Sequence, residues 1–158
     1  MKKVLFLFLT ICGGALLAQE NIDQSLYNKA QSILERSISI DSHSDTPLRF
    51  QDSTFDLGKR NTRGCFDIPR MEEGKLSAEF FAIFLSNGLE KENPSQIALG
   101  YLENVYKAVN KYNSKIGFAF SVKQLKELHK EGKKIICLGM ENGIPLEDDF
   151  GNLDLFYN

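Results

Sequence analysis

His43 and Asp45 lie two residues apart in the run Ile40-Asp41-Ser42-His43-Ser44-Asp45, and Glu141 directly follows the apolar run Lys134-Ile135-Ile136-Cys137-Leu138-Gly139-Met140. Imidazole and carboxylate donors suit a borderline divalent metal such as zinc, and one carboxylate can be shared by two neighbouring ions. In extended chain the side-chain period is two, so His43 and Asp45 point the same way and can reach one ion together. Each residue also has a plainer reading. Asp45 can cap the turn ahead of Pro47, His43 can face solvent, and Glu141 can cap the next helix or pair with a lysine. Asp67 and Arg70 read as a local ion pair in a loop. His129, among Lys126, Glu127, Lys130 and Glu131, reads as solvent-facing.

These residues need elements to bring them together. Ile22, Leu26, Ala30, Ile33 and Leu34 recur at three- and four-residue steps, so an amphipathic helix is expected over 22–37. It leads into a first strand, Ile38–Asp41, which ends in the polar cluster before Pro47. Gly58, Gly64, Pro69 and Gly74 punctuate 51–75 as a loop. Phe80–Leu85 is a continuous apolar run, as in a strand covered on both faces. Asn93-Pro94 opens a helix, with Asn93 as cap and Ile97, Tyr101, Val105 and Val109 as its inner stripe. Ser121 and Gln124 form a capping box for a short helix that stops at Gly132. Lys134–Met140 is the third strand and carries Glu141 at its end, and a last helix begins around 149–152. Strands separated by helices argue for a parallel α/β sheet with right-handed crossovers, whose reactive groups sit at strand C-terminal ends. An eight-stranded α/β barrel takes about 250 residues, so three strands in 158 residues predict an incomplete one.

Composition narrows the functional classes. A net charge of −2 and a pI near 5.7 give no basic face for nucleic acid. Lys2 and Lys3, the apolar run Val4–Ile11 and the small residues after it follow the order of a secretory signal over 1–18, with cleavage near Ala18. The run falls short of the roughly 20 apolar residues that span a bilayer. Lipidation at Cys12 is disfavoured by Ile11 before it. The expected location is periplasmic or extracellular, with membrane attachment left open. A disulfide between Cys65 and Cys137 is permitted there, although the apolar run around Cys137 favours a buried free thiol.

Three ordered blocks resemble the membrane (renal) dipeptidase family of zinc metallopeptidases. Ile40–Leu48 is similar to that family's opening metal motif, an Asp-x-His-x-Asp run before Leu or Pro. Phe66–Gly74 followed by Ala78–Phe81 is similar to its next block, and Gly139–Gly143 to the block that supplies a bridging glutamate. The resemblance runs from 22 to 158 and implies the N-terminal part of a (β/α)8 barrel over 19–158. It further implies that His43 and Asp45 bind one zinc, that Glu141 bridges two and is catalytic, and that Phe84 lies where a Tyr contacts substrate. Ser44 stands where Asn is common, and Asn142 and Ile144 depart from a Gly-Gly-His run, which changes what surrounds the metals. Two later histidine ligands and a substrate-binding His and Arg are expected beyond 158. The implied activity is hydrolysis of dipeptides by a hydroxide activated at a binuclear zinc centre, with a homodimer left open. The competing readings are a non-catalytic binding module and another two-metal amidohydrolase on the same barrel.

Overall fold

The structure is a computed structural model that describes residues 23–157, so the expected signal over 1–18 lies outside them. The elements in chain order are α1 (Gln24–Arg36), β1 (Ile40–Ser44), α2 (Ile68–Glu73), β2 (Ala78–Ile83), α3 (Pro94–Lys111), β3 (Ile116–Phe118), α4 (Val122–Lys130), β4 (Lys134–Met140) and α5 (Gly151–Tyr157). All described strand pairs are parallel, in the order β1-β2-β4-β3. The sheet has one strand more than expected. Ile116–Phe118 is only three residues long with a glycine at its centre, too short for an alternation to show in the sequence.

The chain passes from β2 through α3 to the far edge at β3, then steps back through α4 to β4. Right-handed crossovers running in opposite directions place α3 and α4 on opposite faces. The packing agrees. Phe81, Ile83 and Ile136 join Ala98, Val105 and Val109 of α3 in the larger core, with Leu57 and Ile68. Ala78, Ile135 and Cys137 turn the other way and meet Leu125 and Leu128 of α4. The two parities of a strand thus serve two layers, which is why the chain reads as continuously apolar from Phe80 to Leu85.

Between β1 and β2 the expected loop contains more structure than its glycines suggest. Thr46–Gln51 forms a 3-10 helix and Ile68–Glu73 forms α2, capped by Asp67, whose side chain accepts from the Arg70 amide. Asp67 is fully buried, and its carboxylate also pairs with the Arg70 guanidinium and accepts from the Asn61 amide at 3.0 Å. The expected Asp67–Arg70 pair is therefore a buried anchor. Asp56 ties the same segment to α3. Burial opposes its charge, but the Tyr112 hydroxyl, the Gly58 amide and Lys111 outweigh that and hold the carboxyl down at about 2.

Two further expectations are corrected. Asn93 adopts a left-handed conformation (φ 61°) and its side chain makes no cap; the Ser95 amide of α3 instead donates to Glu147 Oε1 at 2.8 Å, from a loop 52 residues away. His129 is half-buried rather than solvent-facing. The outer edge of the strand carrying Glu141 is covered by β3 at Lys134–Ile136. The Ser121 cap holds as expected, accepting from the Gln124 amide at 3.2 Å, and Cys65 and Cys137 are both free thiols.

Candidate metal centre

The register of β1 against β2 begins regularly, Ile40 beside Ala78 and Asp41 beside Glu79, then slips so that Ser44 stands beside Phe81. This irregularity places Asp41 and Ser44 on the α3 side, and His43 and Asp45 on the opposite side. Local hydrogen bonds fix the turn. The His43 amide donates to Asp41 Oδ1 at 3.2 Å, and the Thr46 amide to Ser44 Oγ at 3.3 Å. Thr46 and Pro47 are buried at the start of the 3-10 helix and stop the strand at Asp45.

Glu141 arrives from β4. The ladder with β2 runs to Ile83 beside Met140, and the Glu141 amide makes the last rung to the Ile83 carbonyl at 3.2 Å. Parity along β4 puts Glu141 on the face of Ile135 and Cys137, the side to which His43 and Asp45 point.

There the three side chains meet. His43 Nε2 lies 3.5 Å from Asp45 Oδ1 and 3.4 Å from Glu141 Oε2. One ligand atom from each falls within 4.8 Å of the others, and among the described residues no other group of three His, Cys, Asp or Glu side chains does this. Donors held about 2.1 Å from a tetrahedral ion stand roughly 3.4 Å apart, so the spacing and the donor chemistry fit a metal. All three side chains are open to solvent, which leaves ligand positions free for further donors or substrate. Phe84, half-buried, follows the last residue of β2 at the same end of the sheet.

Two polar residues near the site escaped the sequence reading. Asn142, noted there only as a departure, donates through Nδ2 to the Leu85 carbonyl at 2.8 Å and accepts the Ile144 amide at 3.3 Å. Glu79, in the middle of the sheet, is 1% exposed, and its Oε1 has no hydrogen-bond partner. Burial first, and the charge of Asp41 second, push its carboxyl up to about 8. An acid interrupting an apolar strand was the available signal for Glu79.

A parallel α/β sheet with an imidazole–carboxylate cluster at its strand C-terminal ends has the arrangement of the α/β-barrel class, in which reactive groups gather at that end. Within that class the chain belongs to the family described as Membrane dipeptidase (Peptidase family M19), which matches residues 27–158. Solved structures agree. The probable dipeptidase PvdM from Pseudomonas aeruginosa is 28% identical with a TM-score of 0.71, over 85% of this chain and 35% of that one. A metallopeptidase from Rhodobacter sphaeroides, bound to a phosphinate mimic of the dipeptide L-Ala-D-Ala, is 20% identical with a TM-score of 0.66, over 76% of this chain and 42% of that one. The dipeptidase AC, at 22% identity and a TM-score of 0.69, is matched over 76% of this chain and 39% of its own. The chain therefore spans well under half the length of these relatives, and its sheet is part of a barrel.

Proposed function

We propose that this chain supplies His43, Asp45 and Glu141 to the binuclear zinc centre of an exported dipeptidase. The observation that supports this most directly is the meeting of three donors, from two strands about a hundred residues apart in sequence, at separations suited to one ion. Zinc, when bound, supplies Lewis acidity toward a peptide carbonyl and a nucleophile from water at neutral pH. The residues supply its place. His43 would hold the metal through Nε2 with Asp45 beside it, and Glu141 would offer its carboxylate as the shared ligand. Phe84 offers an apolar wall to a dipeptide side chain. Residues 1–18 direct export, so the protein recovered outside the cytoplasm should begin near Gln19 on N-terminal sequencing.

This chain is read as a fragment inactive by itself, so Glu141→Gln in the complete protein tests the bridging role. The change removes a negative charge and replaces an oxygen donor by an amide nitrogen that cannot coordinate while protonated. Most zinc should be lost, and kcat for dipeptide hydrolysis should fall by at least roughly a hundredfold. Atomic absorption and hydrolysis assays on one preparation decide it: two retained zinc ions with near-normal turnover would sink the assignment.

A further inference from the structure

We infer that Asn142 is a positioning residue for Glu141, acting by extending the β2–β4 ladder with its side-chain amide. The inference rests on the proposed metal centre and concerns what holds one of its ligands in place.

In a parallel ladder, alternate residues of one strand reach successive carbonyls of its neighbour. The Glu141 amide takes the Ile83 carbonyl at 3.2 Å, so the next rung would run from the amide of residue 143 to the Leu85 carbonyl. At that point the backbone leaves the sheet for a 3-10 turn at Ile144–Leu146. The Leu85 carbonyl is taken instead by Asn142 Nδ2 at 2.8 Å. The other end of the same side chain accepts the Ile144 amide at 3.3 Å and so opens the turn. Leu85 is fully buried and immobilised in the core that α3 covers.

The consequence falls on Glu141. Its N-terminal side is fixed by its own amide on Ile83, and its C-terminal side by the side chain of the next residue on Leu85. Two consecutive tethers to one strand remove the freedom of the backbone to swing at a point where regular pairing has ended. Without the second tether, Glu141 would be the last paired residue of a fraying strand, and its carboxylate would not be held 3.4 Å from His43 Nε2. A ligand whose orientation is fixed before the ion arrives loses less conformational freedom on binding it. An amide suits this task because it offers a donor and an acceptor at once and carries no charge that would itself compete for the metal.

The test is Asn142→Ala in the complete protein, compared with the unsubstituted protein by titration with Co2+, whose d–d absorption reports ligand geometry. The expected result is roughly 10- to 100-fold weaker cobalt binding, the range seen when a partner of a metal ligand is removed, with an altered absorption envelope. Thermal unfolding of the metal-free proteins controls for a purely structural role, which would lower the midpoint and leave the cobalt spectrum and affinity unchanged. That outcome overturns the inference while the metal centre stands. Absence of any cobalt spectrum from the complete unsubstituted protein would instead overturn the metal-centre reading, and the inference with it.

Discussion

Among single residues, Glu79 is a buried acid whose Oε1 has no hydrogen-bond partner. Its carboxyl titrates near 8 in the fold against 4.5 for the ordinary group, so between those values the folded state binds a proton that the unfolded state has released. Stability from this group is complete below about 4.5 and is lost as pH rises through about 8. Glu79→Gln, which cannot ionise, should therefore raise stability at pH 8 by about 1–3 kcal/mol and change little at pH 5. Urea unfolding at the two pH values measures it, and equal effects at both would show that the carboxyl is not held neutral. Residue by residue, the meeting of His43, Asp45 and Glu141 was legible because they stand at or near strand ends, where reactive groups gather. Glu79 gave only the weaker signal of an acid interrupting an apolar strand, and its lack of a partner shows only in the packed sheet.

At the scale of elements, the sequence disclosed what depends on local periodicity and missed what depends on distant partners. The Ser121 cap is local and held. Asn93 has the right type for a cap, but the cap of α3 comes from Glu147, which no local pattern could reveal. Glu147 itself sits at φ 53°, a conformation that costs Glu and Ala alike, so Glu147→Ala isolates the cap. Losing it, with the carboxylate that complements the helix dipole, should cost about 1 kcal/mol. For a domain of this size that is a drop of roughly 2–4 °C in Tm, while Glu147→Gln, which keeps an acceptor, should recover part of it. Calorimetry on the two variants checks this; a full loss in both would assign the effect to charge rather than to the hydrogen bond. Strand β3 and helix α2 went unread for a related reason, being short and fixed by what they pack against.

The molecule as a whole exposes more apolar surface than its layers can cover. Among the described residues, α1 buries none of its side chains and leaves Leu26 63% exposed, while Phe150 and Tyr157 stand 85% and 88% exposed beside and within α5. Such surface drives association in water, so light scattering on the isolated chain should show a mass that rises with concentration. A constant monomer mass across a hundredfold range would contradict this. The opposite placement of α3 and α4 has a consequence for access. Glu141 lies on the face that α4 covers, but α4 meets that face through Leu125 and Leu128 at Ala78, Ile135 and Cys137, toward the strand N-terminal ends. The C-terminal ends on the same face, where His43, Asp45 and Glu141 meet, stay open to solvent. A ligand can reach the three side chains without displacing a helix.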